Sequence, residues 1–395
     1  MKTHAFSKQR LDIPLPVAML LLAPFDILAS LAMDIYLPIV PQMPAALGTS
    51  ATVIQLTLSL YMLMLGAGQL LFGPLSDRIG RRPVLLGGAL LFAGSSLILA
   101  ATSSAPLFVV FRLLQAAGAS AALVATFATV RDVYAARPEG AVIYSLLGAI
   151  LSFVPALGPI AGALIAGHFG WRAIFILLGA LMLTAMIAAL ARWHETRPET
   201  AAGAAIGIGT ILRSGAFWTY TIGFSAAMGS FFVFFSTAPR VLIERAGFSQ
   251  MAFSLSFATS AMVMIVAARF AGRFVKRWGT AGSLARGMGL LILGAMLLGF
   301  GELFLAPSFV SFILPMWIIS LGIVLTTAVT ANGALADFGD RAGTAVALYF
   351  CIQSLIVACA GTGFVLVLGG DTAWPLAGFC TVSAAVTLLA LRRRR

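Results

Sequence analysis

Three ionisable side chains stand inside long apolar runs of this chain, Asp26 and Asp34 within the first and Arg112 within the fourth. Charges at such depth are costly to bury and mark ion or substrate pathways where they occur. A carboxyl in low dielectric holds a proton readily, and a guanidinium brought beside it expels that proton. A pair whose spacing changes is therefore a proton switch; a pair at fixed spacing would only pin two helices together, and the residue types admit both readings. Eight positions separate the two aspartates, about 80° around a helix, with Ser30 midway. Counted from about residue 16 at 1.5 Å per residue, Asp26 lies about 15 Å and Asp34 about 27 Å into the first run. If the fourth run starts on the opposite side near residue 106, Arg112 lies about 21 Å up in a core of about 30 Å, between the two aspartates in height.

The elements that must hold these groups are membrane helices. Hydrophobic residues make up 61% of the 395 and charged ones only 10%, with a mean hydropathy of +1.03, more apolar surface than a water-soluble fold can hide. Windows of about 20 apolar residues place spans at 16–40, 52–75, 83–102, 106–130, 140–167 and 172–191, then at 215–239, 249–271, 282–305, 309–331, 342–367 and 373–391. The expected fold is an all-α integral membrane protein of 12 transmembrane helices in two six-helix bundles, 1–191 and 215–395, joined by a cytoplasmic linker at 192–214. Asp26 interrupts the first run, which continues to spanning length, so an uncleaved first helix is expected rather than a signal peptide. Of the 25 Lys and Arg, 21 fall on the side of the termini, three on the other side (Arg172, Arg240, Arg245), and Arg112 within a span. That bias predicts both termini in the cytoplasm. It also accounts for the net charge of +12 without nucleic acid, because the cations sit in short loops rather than in one patch with aromatics. Cys351, Cys359 and Cys380 lie in apolar runs and are expected to pack as small thiols.

One loop carries more information than charge. Gly73-Pro-Leu-Ser-Asp-Arg-Ile-Gly-Arg-Arg-Pro83 is echoed 199 positions later by Gly272-Arg-Phe-Val-Lys-Arg-Trp-Gly279, close to half the chain length, as duplication of a six-helix unit would leave. Gly73 and Gly80 permit close backbone approach or positive φ, Asp77 can cap a helix, and Arg78, Arg81 and Arg82 can pair with acids or lipid phosphates. The pattern resembles the loop signature of the major facilitator superfamily. That resemblance implies a charge latch on Gly73, Asp77, Arg78, Gly80 and Arg81, with Asp77 and Arg78 as main carriers, which favours the outward-facing state. Lys276 replaces Asp77 in the second copy, so the latch is expected to be asymmetric. In the fifth span, Pro155, Gly158, Pro159 and Gly162 bend the helix and let a neighbour approach closely. Gly158-Pro-Ile-Ala-Gly162 resembles the signature that marks exporters in the superfamily and implies antiport.

For a ligand, Phe231, Phe234 and Phe235 share one face of the seventh span, Phe25 stands beside Asp26, and Tyr61 lies on the second span; such surfaces suit a flat apolar molecule. An aromatic stripe in a membrane helix can equally be packed or lipid-facing. Glu302, Glu244 and Arg245 are expected to be solvated, and Asn332 either contacts a ligand or ends a helix. Longer stretches, Pro24 to Pro38, Phe111 to Ser120, Ala125 to Tyr134, Phe231 to Pro239 and Gly370 to Pro375, resemble the phenicol exporters of the bicyclomycin and chloramphenicol resistance family. The resemblance covers residue 15 onward, with Arg112, Gln115 and Gly118 matching the proton-coupling motif and Asp26 and Asp34 the acidic positions. It implies export of amphenicol drugs, chloramphenicol and florfenicol, in exchange for protons. It also implies a drug site including Phe25, Asp26, Ser30, Asp34, Tyr61 and Arg112, no cofactor beyond the proton-motive force, and a monomer among membrane lipids in the bacterial inner membrane. An exporter of other small amphipathic drugs, or a metabolite symporter of the same fold, remains the alternative. Phosphate-loop and zinc-protease motifs are missing from the sequence, and only His4, His168 and His194 occur, so neither an enzyme nor a metal site is expected.

Overall fold

The computed structural model describes residues 15–134, 138–197, 208–338 and 343–393, and within them the chain is helical with no strand. The first half contributes α1 (Leu15–Asp34), α2 (Ala51–Ile79), α3 (Arg81–Ala101), α4 (Ala105–Tyr134), α5 (Pro138–Phe169) and α6 (Arg172–Arg192). The second contributes α7 (Gly215–Pro239), then one 55-residue helical stretch, Gln250–Phe304, then α10 (Leu314–Leu335). After these come α11, built from Gly343–Ile356, a π-helical turn Val357–Gly361 and Thr362–Leu368, and finally α12 (Trp374–Arg392). Fifty-five residues at 1.5 Å each would reach about 80 Å, far beyond a bilayer. The stretch breaks at Gly279, φ +67°. It is therefore two crossings, α8 (250–278) and α9 (280–304), so among the described residues the eleven apolar helices long enough to span supply twelve passes.

Of the two glycines in each echoed loop only the second is required by the backbone: Gly73 and Gly272 lie inside helices with open space where a Cβ would stand, so neither the close approach nor the positive φ expected at Gly73 occurs. Gly80 (φ +109°) separates α2 from α3 as Gly279 separates α8 from α9, and both lie where an L side chain is disfavoured. Elsewhere serines start the helices: Ser50, Ser214 and Ser249 each accept the backbone N–H three residues on. The expected first span to residue 40 is too long. Its helix ends at Asp34, and Pro38 and Pro41 turn the chain through a 3-10 segment, Leu37–Gln42. Conversely, α2 and α4 run on past the apolar windows to Ile79 and Tyr134, carrying their charged ends beyond the apolar layer.

Helices pack through small residues, as expected where lipid removes the hydrophobic drive between spans. A Cβ on Gly118 of α4 would stand 2.5 Å from backbone atoms of Gly88 and Phe92 on α3. Large apolar side chains instead face outward, among them Leu71, Leu90, Leu157 and Val367. Within each half the helices pack side by side, and the halves meet through α2 against α11 and α5 against α8. Their direct polar contacts lie away from the termini. Ser59 and Thr362 hydroxyls are 2.5 Å apart, Ser254 donates to the Pro159 carbonyl at 2.9 Å, and the turn after α1 touches the turn after α7. On that same face Glu302, expected to be solvated, is only 11% exposed. It receives Arg245 at 2.7 Å and the Ala373 N–H at 3.0 Å, tying α9 to the turns before α8 and α12. Its partners come from positions 57 and 71 residues away, which local hydropathy cannot foresee. The expected linker at 192–214 is described only at its ends, and Lys2, Lys8, Arg10, Arg137, Arg341, Arg394 and Arg395 of the basic count lie outside the described residues.

Candidate functional site

Arg112 is fully buried on α4, reaching into the centre of the first half. One guanidinium nitrogen donates to the carbonyl of Ala32 on α1 (3.1 Å) and to Gln115 Oε1 one turn along α4 (2.7 Å). Gln115 passes the connection on through its amide to Ser96 Oγ (2.7 Å), which donates to the Phe92 carbonyl on α3. The guanidinium carbon lies 4.8 Å from the centroid of the Tyr36 ring and 4.6 Å from that of Tyr61, a cation held between two π faces. Tyr61 in turn donates to the Ala29 carbonyl at 2.7 Å, so α2 as well as α4 grips α1. Nε and the second terminal nitrogen of Arg112 have no partner. No carboxylate lies within 4.0 Å of it among the described residues.

Contact with Ala32 settles the height. Arg112 sits two residues below Asp34 and six above Asp26, nearer the first. Asp34 is 6% exposed, interacts electrostatically with Tyr61, and lies where a Cβ on Gly158 of α5 would come within 2.8 Å of its own Cβ. A Cβ on Gly162 would overlap the Ile35 carbonyl. The Gly158 and Gly162 pair thus lets α5 close over the end of α1. Asp26 is buried about two turns away, with one carboxylate oxygen unpartnered. Beside it Phe25 packs edge-on against Trp193 (6.2 Å), inside the first half rather than against the second, while Ser30 is half-buried between the acids.

The phenylalanines of α7 divide. Phe234 is buried in a stack with Phe257 of α8 (5.0 Å) and Phe312 (5.8 Å), and Phe235 is 2% exposed against Phe257, so both are packing residues of the second half. Only Phe231 is half-exposed. The face expected from their periodicity is real but is turned toward α8 and the π-helical turn Phe309–Ile313 that precedes α10. A different aromatic group occurs nearer the middle of the second half: Phe224 stacks on Tyr349 of α11 at 4.8 Å, with Phe350 edge-on to both. Gln353, one turn beyond Tyr349, is buried with its amide nitrogen unpartnered. Single aromatics spread over two spans give no stripe, which is why Phe224, Tyr349 and Gln353 do not stand out in the sequence. Asn332 is exposed inside α10, which continues to Leu335, so it ends no helix.

At the basic loop the structure corrects the expected carriers. Arg81, not Arg78, holds Asp77, and it also donates to Asp132 at the far end of α4 (2.7 Å) and to Ser76 (3.2 Å). Three arginines in one loop look alike in sequence; the turn at Gly80 decides which points inward. Arg78 is exposed and contributes its carbonyl, which accepts from Arg197. A further clasp comes from Glu195, just beyond α6, whose carboxylate accepts the N–H groups of Arg81 (2.8 Å) and Arg82 (3.1 Å) at the start of α3. It also accepts those of Thr196 and Arg197. A Cβ on Gly80 would overlap this carboxylate, a second reason for glycine there. Burial pushes the Glu195 carboxyl up, but the N–H groups of Arg81, Arg197, Arg82 and Thr196 together hold it below its ordinary value of 4.5. A carboxyl lowered on folding contributes stability above its unfolded value and loses it as pH falls through the lower folded value. Glu195→Gln is therefore expected to cost about 1 kcal/mol at neutral pH. In thermal melts the gap from the parent should close below pH of about 4.5. A pH-independent gap would show that charge at this position is irrelevant.

With this geometry established, known proteins supply a context. A family model described as the Major Facilitator Superfamily matches residues 23–389. A chloramphenicol resistance protein of Pseudomonas aeruginosa is 52% identical over 375 residues, 95% of this chain and 90% of that protein. An uncharacterized transporter of the same type, YdgK of Bacillus subtilis, is 31% identical over 94% of this chain and 93% of its own. Multidrug resistance protein D of Escherichia coli K12 is 28% identical over 82% of each. Among solved structures, a transporter of the POT family superposes with a TM-score of 0.78 over 95% of both chains at 14% identity, a likeness of fold.

Proposed function

Since the chain belongs to the Major Facilitator Superfamily, and is thus a multi-pass membrane transporter and not an enzyme, we propose that it exports amphenicol drugs, chloramphenicol and florfenicol, in exchange for protons. The observation that carries the coupling is Arg112: buried, free on two nitrogens, set between two tyrosine rings, and bonded to α1 two residues before Asp34, a carboxylate with which it forms no ion pair. The drug class rests on the 52% identical relative, named for chloramphenicol resistance. The protein sits as a monomer in the bacterial inner membrane with both termini cytoplasmic, the orientation that the basic bias favours. In that orientation the contacts of Ser59 with Thr362 and of Ser254 with Pro159 lie on the periplasmic side, which supports reading the described state as inward-facing.

Drug enters from the cytoplasm while Asp34 is unprotonated. The free donors of Arg112 and the amide of Gln353 suit the nitro, hydroxyl and amide oxygens of a neutral amphenicol, and the Phe224–Tyr349 pair suits its ring. Opening to the periplasm exposes Asp34, which takes a proton as the drug leaves. Return to the inward state carries the protonated carboxyl back unpaired; the free donors of Arg112 then close on it and expel the proton to the cytoplasm, and incoming drug takes those donors in turn. Asp26, deeper on the cytoplasmic side, is the next proton acceptor on that path. A neutral drug leaving against a proton entering moves net charge, so both voltage and the pH difference drive export.

The test is chloramphenicol uptake into proteoliposomes with an acid interior. Uptake that a protonophore abolishes, and that Asp34→Asn uncouples more severely than Asp26→Asn, is the expected result. Entry independent of the gradient, or none with the parent protein, would overturn the reading.

A further inference from the structure

The echoed loop between α8 and α9 has the spacing of the first but not its machinery. Lys276 stands where Asp77 does, and Thr280 where Arg81 does, so neither partner of the Asp77–Arg81–Asp132 cluster is available. What remains is cationic: Arg269, Arg273, Lys276, Arg277 and Arg286, in a stretch where no acidic residue occurs between Arg245 and Glu302. None of the five forms an ion pair among the described residues. Adjoining them, a groove of about 830 Å3 runs along α8 against α9 and α10, with a wall almost wholly apolar. That size is within the range of about 300–1,000 Å3 usual for ligand sites. Phe270, Phe274 and Trp278 line its end nearest the loop. The Arg273 guanidinium lies 5.5 Å from the Phe270 centroid and that of Arg286 4.6 Å from Trp278, so two cations sit on the groove's own aromatic wall. At 100° per residue Arg277 continues the face of Phe270 and Phe274.

We propose that this groove binds one anionic phospholipid of the leaflet on the basic side, its acyl chain along Phe270, Phe274 and Trp278 and its phosphate held by Arg273, Arg277 and Arg286. Charge complementarity selects the occupant. A second copy of the chain meeting this face about a twofold axis would set the same cations against each other. A neutral drug would leave the basic rim without a partner. Phosphate oxygens satisfy several guanidinium donors at once, and the apolar wall needs a chain beside it. The second copy of the loop thus anchors the second half to its leaflet, while the first copy is tied internally.

Trp278 provides the readout. In nanodiscs holding one protein in a phosphatidylcholine background, a minor fraction of phosphatidylglycerol with brominated chains is compared with the same fraction of brominated phosphatidylcholine. The part of the quenching that Trp278→Phe removes is expected to be at least about five-fold larger with the phosphatidylglycerol. The triple variant Arg273→Gln, Arg277→Gln, Arg286→Gln should bring the two lipids level. Native mass spectrometry of the unaltered protein, offered both lipids equally, should retain phosphatidylglycerol in excess. Equal quenching of the parent by both lipids would overturn the proposal, leaving ordinary solvation by lipid. So would protection of Trp278 from both lipids in discs loaded with two copies, which would make the groove a dimer face, or relief of quenching by chloramphenicol, which would make it a drug site.

Discussion

Arg112→Leu is expected to abolish coupled drug efflux, by more than about 100-fold, while the protein still folds and inserts. A loss of that size corresponds to about 2.7 kcal/mol, within the range of about 1.5–3 kcal/mol for one hydrogen bond made by a charged group. Leucine fills much of the space between Tyr36 and Tyr61 but leaves the Ala32 carbonyl and Gln115 Oε1 without their donor. Arg112→Lys separates charge from geometry. An ammonium retains the positive charge, yet it cannot lie flat between two rings while bridging α1 to α4. Drug binding, followed by tryptophan fluorescence, should survive in the lysine variant, whereas pH-driven uptake into proteoliposomes should not. If both variants transport at the parental rate, Arg112 is a packing residue and the coupling scheme fails with it.

Gly66→Val is expected to reduce efflux by more than about ten-fold through conformation rather than chemistry. Gly66 of α2 faces Ser354 of α11, and a Cβ on it would overlap both Cβ and Oγ of that serine. Serine is too short to swing aside, so α2 and α11 must part, and the closed face with the Ser59–Thr362 contact must part with them. Neither half is altered internally, which predicts normal expression and drug binding shifted toward the other state. The check uses Ser59→Cys in a background with Cys351, Cys359 and Cys380 replaced. Labelling by an impermeant maleimide from the side opposite the termini should rise several-fold when Gly66→Val is added. Unchanged labelling together with unchanged efflux would mean that the close approach is not part of the cycle.

The division between what could be read in advance and what could not follows physical lines. Lipid forces every backbone polar group to be satisfied within its own segment, so about 20 apolar residues mean a helix wherever they occur. That constraint is local, and it made the span count readable even where α8 and α9 run almost continuously. Gly80 was readable because positive φ belongs to glycine, though Gly73, read the same way, has neither positive φ nor a close neighbour; Gly279 followed from the repeated spacing, and Asp26, Asp34 and Arg112 were readable because a charge among apolar residues has few reasons to exist. Partnership is another matter. Arg81 finds Asp132 across 51 residues, Glu195 closes on Arg81 across 114, and Gly66 meets Ser354 only because two halves come together. Periodicity correctly put Phe231, Phe234 and Phe235 on one face, but it could not say what that face looks at, since a cavity and a neighbouring helix impose the same 3.6-residue repeat. Sequence by itself therefore determined the membrane class, the duplicated plan and the deep charges, all consequences of single residues in a low-dielectric solvent. Tertiary structure alone decided that Arg112 rests between tyrosines without an ion pair, which arginine carries the first loop, and which face is closed, because each depends on distances between segments remote in the chain.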